Sequence, residues 1–61
     1  MKLQEIPNDT LFRLQCDSRF VYRLLGVDRG AFMCVAIDGP FIGQEVFLPG
    51  MIDVEPVEYL Q

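Results

Sequence analysis

Turn-forming residues punctuate this chain so regularly that no long helix fits between them. The clusters are Pro7-Asn8-Asp9, Cys16-Asp17-Ser18-Arg19, Asp28-Arg29-Gly30, Asp38-Gly39-Pro40 and Pro49-Gly50. They leave the runs 10–15, 20–27, 31–37, 41–48 and 51–61, of which the first four are no longer than eight residues and the last is interrupted by Pro56. Globular helices usually need about 8–20 residues and a cap at each end. Short runs rich in β-branched and aromatic residues, with turn signals every ~8–12 residues, specify strands instead. A helix over Thr10 to Leu25 is the competing reading. Asp17-Ser18 interrupts it, and Phe20-Val21-Tyr22 favours strand.

The runs read as five strands. Thr10–Gln15 alternates Phe12 and Leu14 with Arg13 and Gln15. In Phe20–Leu25, Arg23 marks the outer face, so Phe20, Tyr22 and Leu24 are expected inside. Ala31–Ile37 is apolar on both faces, as in a strand covered from both sides. Its expected inward set is Met33, Val35 and Ile37, with Phe32, Cys34 and Ala36 opposite. In Gln44–Leu48, Val46 and Leu48 point inward and Glu45 and Phe47 outward. Ile52–Glu55 alternates apolar with acidic residues, and Pro56 is expected to end it by removing a ladder donor. Residues 57–61 stay open between a helical turn and a further pairing segment. Asp28-Arg29-Gly30 suits a short hairpin loop with Gly30 at positive φ. Asp38-Gly39 suits a tight turn, but Pro40-Phe41-Ile42-Gly43 lengthens that connection and sets Phe41 and Ile42 near a loop tip.

The expected architecture is therefore all-β, a small five-stranded open barrel forming a single domain over 1–61. Two stretches carry a resemblance. Leu3-x-x-Ile6-Pro7-Asn8-Asp9-Thr10-x-Phe12-Arg13-Leu14 resembles the opening strand of small Src-homology-3-like barrel proteins of bacteria and phages. Val46-Phe47-Leu48-Pro49-x-x-x-Asp53-Val54-Glu55-Pro56-Val57 is similar to their closing segment. The resemblance implies the barrel fold and carries no assigned activity with it. The chain has no tryptophan, so the proline-peptide binding of the eukaryotic members is not expected.

Size and composition narrow the function classes. At 61 residues, folding buries only about 60% of the unfolded surface. A core of this size supplies roughly 3–5 kcal/mol. Yet 51% of the residues are apolar, slightly above the ~45–50% typical of soluble domains. Some of that apolar surface must lie outside or be covered by another chain. No run approaches the ~20 apolar residues of a membrane helix, and Met1-Lys2-Leu3-Gln4-Glu5 lacks a signal-peptide core. A cytoplasmic protein is expected.

Catalysis is not expected. Histidine is absent, which removes the commonest general base. Cys16 near Arg19 lacks an oxyanion motif. Asp53 and Glu55 share a strand face, better read as a solvated face than as an acid–base pair. The glycines have no phosphate-loop spacing. Cys16 and Cys34 read as reduced, half-buried thiols rather than a disulfide, and two distant cysteines cannot make a tetrahedral metal site. No cofactor and no metal are expected.

Charge divides the chain. Residues 1–29 carry five basic and four acidic groups, and residues 30–61 carry five acids and no base, which sums to −4. Arg13, Arg19, Arg23 and Arg29 interleave with Phe12, Phe20 and Tyr22, a pattern that single-stranded nucleic acid would use. An acidic chain is poorly suited to phosphate contacts, so this class ranks as an alternative. A small-ligand-sequestering homo-oligomer is another. The preferred expectation is a non-enzymatic interaction module that binds itself or one protein partner. By analogy of size and fold alone, the expectation extends to a phage- or mobile-element-type protein that binds and inhibits a host protein. The expected contact residues are Phe32, Phe41, Ile42 and Phe47, with the acids Glu45, Asp53 and Glu55.

Overall fold

The computed structural model describes residues 1–57. The expectation for the last residues, 58–61, lies outside the described residues. A 3₁₀ turn spans Leu3–Glu5, followed by β1 (Leu11–Leu14), β2 (Tyr22–Asp28), β3 (Ala31–Ala36), β4 (Glu45–Pro49) and β5 (Val54–Val57). All five strands join one antiparallel sheet in the order β4-β3-β2-β1-β5. The expected all-β class and five strands are thus observed.

Alternation sets the faces. Phe12, Tyr22, Leu24, Cys34, Val46 and Val54 fall on one side, and the cross-strand pairs Phe12↔Tyr22, Leu24↔Cys34 and Cys34↔Val46 keep them there. Leu3 and Ile6, from the segment before β1, complete the buried cluster. Phe12, Leu3 and Leu24 are its largest fully buried side chains, each stabilising the fold by about 1.5–3 kcal/mol through loss of water contact. Phe12 also stacks on Tyr22, with ring centroids 5.8 Å apart.

The third strand faces the opposite way from expectation. Cys34 and Ala36 are buried, and Phe32 packs against the core beside Leu48. Met33 and Val35 lie on the outer face. The reason is spatial: Gly50 has no side chain, and the Phe32 ring fills the room. A Cβ on Gly50 would come within 2.7 Å of that ring. Phe32 is therefore a core-packing residue and is withdrawn from the exposed set.

The strand bounds also differ from expectation, most in β2 and β5. The second strand begins at Tyr22, not Phe20, and runs to Asp28. Leu25 is an extra residue in it, a bulge between Leu24 and Gly26 that turns Leu25 outward. Arg29 (φ 54°) and Gly30 (φ 82°) both have positive φ, the two-residue geometry that matches strand twist in a tight hairpin. The fifth strand continues through Pro56 to Val57. Val54, two residues earlier, donates its N–H away from β1 to the carbonyl of Met1 at 2.7 Å. Pro56 directs its nitrogen to that same outer side, so its missing N–H costs the ladder nothing.

The first residues run along the outer side of β5. Leu3 donates to the Ile52 carbonyl (3.0 Å) and Gln4 to the Gly50 carbonyl (2.9 Å). Lys2 bridges Asp53. These contacts hold the 3₁₀ turn over the core at Leu3–Glu5, where the resembled opening segment begins, while β1 lies within the strand expected over Thr10–Gln15.

Candidate interaction surfaces

The expected contact residues occupy three separate places. Phe47 projects from β4 on the outer sheet face and is 55% exposed. Its partner across the β3–β4 ladder is Met33. One step along, Glu45 pairs with Val35, and Val35 pairs in turn with Arg23. The outer face thus has an apolar row of Phe47 and Met33 beside a mixed row of Glu45, Val35 and Arg23. The bulged Leu25 is exposed on the same side.

Phe41 and Ile42 belong to a second place, the loop between β3 and β4. They are 53% and 66% exposed. The loop is built by the Gly43 N–H donating to the Ala36 carbonyl at 2.8 Å and by Ile42 donating to Gly39. It leans on the segment before β2. Val21 donates its N–H to Asp38 Oδ1 at 2.9 Å and accepts from the Ile37 N–H at 3.0 Å. Phe20 meets Phe41 edge to face, with centroids 6.1 Å apart. The Arg19 guanidinium lies 5.2 Å from the Phe20 ring centre and is held by Asp17 through two bonds of 2.9 Å. Those bonds hold the Asp17 carboxyl below its ordinary range and push Arg19 up. The Phe20 and Arg19 contributions to this aromatic end were not foreseen from sequence, where Phe20 was assigned to a strand. The run Arg19-Phe20 before the strand-forming Val21 was the available signal.

Asp53 and Glu55, at β5, mark the third place. Asp53 is bound to Lys2, Nζ to Oδ1 2.8 Å, and this contact lowers its pKa. Glu55 is exposed and stands opposite Arg13 in the β1–β5 ladder. Arg13 Nε is shut off from solvent without a hydrogen-bond partner. Glu45 lies on the far edge strand, so the three acids do not form one cluster.

Other chemistry is sparsely provided. Both cysteines are free: Cys34 in the core and Cys16 exposed, so neither is half-buried as expected. Burial pushes the Cys34 thiol up to about 11. A shallow groove of about 420 Å³ is lined by Gln15, Cys16, Ile52 and Asp53. Among the described residues, no three His, Cys, Asp or Glu side chains are grouped to hold a metal ion. None of their helices is long and apolar enough to cross a membrane. Set against known proteins, the chain matches no family profile, no curated sequence and no solved structure.

Proposed function

We propose that this chain is a non-enzymatic protein–protein interaction module built on a Src-homology-3-like open barrel. The observation that carries the reading is the placement of its apolar excess. Phe47, Phe41 and Ile42 are each more than half exposed, while the core around Phe12, Leu3 and Leu24 is built without them. Exposed aromatic groups with polar neighbours are typical of association surfaces. The acids Glu45 and Glu55 stand around the sheet and favour a partner with basic groups at its rim. The free thiols suit a reducing compartment, and we place the module in the cytoplasm.

The arginines speak for protein rather than nucleic acid as the partner. Arg19 is neutralised by Asp17, and Arg29 sits on the hairpin tip. Phe12 is buried and Tyr22 packs against the core, so neither offers a free ring for base stacking.

The test is capture by the immobilised chain from a lysate of its source cells, compared with Phe47→Glu and Phe41→Glu. Loss of the captured proteins with at least one folded variant supports the reading. Identical capture by all three chains, or none by any, refutes it.

A further inference from the structure

The main chain of β4 carries information that its side chains do not. In the β3–β4 ladder the Ala36 N–H donates to the Gln44 carbonyl at 3.0 Å. Cys34 pairs with Val46 and Phe32 with Leu48. By alternation, the N–H and C=O groups of Val46 and Leu48 point to β3. Those of Glu45 and Phe47 point the other way, off the edge of the sheet. β4 is the terminal strand in the order, and the segment 1–4 that lies along β5 bonds to residues 50–54, not to β4. Pro49 then ends the row, since it has no N–H, and its carbonyl accepts from Ile52 at 3.2 Å.

We propose that this edge is the seat of a homodimer, in which two β4 strands pair antiparallel about a two-fold axis at Val46. The inference rests on the interaction-module reading and names its partner as a second copy of this chain. Glu45 of one copy faces Phe47 of the other. Each such pair exchanges two hydrogen bonds, so four bonds use the donors and acceptors of Glu45 and Phe47 that have no partner among the described residues. An antiparallel edge is its own complement, which is what a two-fold interface requires. Edges left bare in this way are templates for pairing.

Side chains agree with that register. Phe47 of each copy lies on the outer face directly opposite Glu45 of the other, and the two Phe47 rings are diagonal neighbours across the axis, so the apolar stripe runs diagonally from one Met33 to the other. The two Glu45 carboxylates are diagonal neighbours rather than directly opposed, and so avoid the like-charge cost of a facing pair. Antiparallel pairing also turns the Glu45 end of one β4 toward the Pro49 end of the other. The β2–β3 hairpin beside that end carries the adjacent Asp28 and Arg29, whose charges balance. A standard interface removes about 800 Å² from each partner, roughly a fifth of the 4155 Å² surface of this chain. A short ladder with one apolar stripe is smaller than that, so the dimer is expected to dissociate in the micromolar range.

The test is sedimentation of the whole chain over a micromolar to millimolar series, joined to amide hydrogen exchange at the same concentrations. The expected result is a monomer–dimer equilibrium in which the Glu45 and Phe47 amides gain protection as dimer forms. The Val46 and Leu48 amides are protected at every concentration. Glu45→Pro removes one outward donor per copy and leaves the β3 side of the strand untouched. It is expected to weaken association about tenfold to thirtyfold, whereas Glu45→Gln, which keeps the donor, leaves it within about threefold. A chain that stays monomeric throughout overturns the proposal. So does a dimer whose Glu45 and Phe47 amides stay unprotected, or protection that arises only when a lysate protein is added. A persistent monomer that still captures a partner through Phe41 removes the dimer alone and leaves the broader reading standing.

Discussion

The ring of Phe20 occupies the space where a side chain on Gly39 would begin. A Cβ at Gly39 would come within 2.6 Å of the ring, and the residue already has φ +81°. The missing side chain lets two loops distant in sequence, one before β2 and one after β3, pack closely beside the hydrogen bonds of Val21 with Asp38 and Ile37. Gly43, in the same loop, has φ +87° but open space around its Cβ position. Gly39→Ala should thus cost more than Gly43→Ala. The second bears only the left-handed backbone cost of about 1–2 kcal/mol, while the first adds a clash with a packed ring. Denaturant titration of the two variants measures the difference, and equal losses would mean that Phe20 moves aside freely.

That contact also shows where sequence reading succeeded and failed. The turns at Asp28-Arg29-Gly30 and Asp38-Gly39 were legible because their residue chemistry dictates backbone geometry. The outward direction of Phe47 was legible because Glu45 marks its face. In β3 no polar residue marks either face, so period-two alternation gives two equally apolar sets. Only the space above Gly50 decides that Phe32, Cys34 and Ala36 turn inward. The continuation of β5 through Pro56 was hidden for a related reason. Whether a proline breaks a ladder depends on which edge its nitrogen faces, and that is a tertiary fact. The apolar excess is visible in the composition, yet its division between an outer face and a loop end follows from strand order, which no local pattern contains.

The facing of the aromatic residues can be tested by stability alone. Phe12 is fully buried, and Phe12→Ala should cost about 3–5 kcal/mol. A domain holding roughly 3–5 kcal/mol in total would then be largely unfolded at room temperature by circular dichroism. Phe47→Ala should change stability by no more than about 0.5 kcal/mol when measured at dilute, monomeric concentration.

Phe32→Glu and Phe47→Glu form a second contrast that isolates the reversed strand. Phe32 packs against the core beneath Gly50, so a carboxylate there should cost at least about 2 kcal/mol. The same change at Phe47 should leave the denaturation midpoint of the monomer close to that of the parent. If Phe47→Glu is the more damaging of the two, β3 and β4 face the other way.

The Lys2–Asp53 contact predicts an acid-side dependence. The hydrogen bond and charge of Lys2 lower the Asp53 pKa below its ordinary 3.8. A carboxyl depressed in the folded state contributes stability that is present above 3.8 and lost as pH falls through its lower folded value. Asp53→Asn should therefore be less stable than the parent at about pH 6, and the difference should shrink as pH falls through the lowered folded value. The effect is modest, because both partners are solvent-exposed. Amide exchange of Val54, whose N–H is tied to Met1, should quicken in the variant as the first residues loosen from β5.

The two thiols predict opposite behaviour on the alkaline side. Cys16 is exposed and should react with a thiol reagent at neutral pH, giving one rapid equivalent per chain. Cys34 lies in the core among Leu24, Val46 and Phe12, and should react only as fast as the fold opens. Its burial raises the thiol from 9.0 to about 11. The neutral form is the one the folded state accepts. Stability is thus complete below 9.0 and declines as pH rises toward about 11, because the unfolded chain gives up its proton first. Cys34→Ala loses packing at every pH but should remove this alkaline slope, so the stabilities of parent and variant converge between about pH 8 and about pH 11. Parallel curves across that range, or two rapid equivalents of reagent at neutral pH, would mean that Cys34 is not closed within the sheet's inner face.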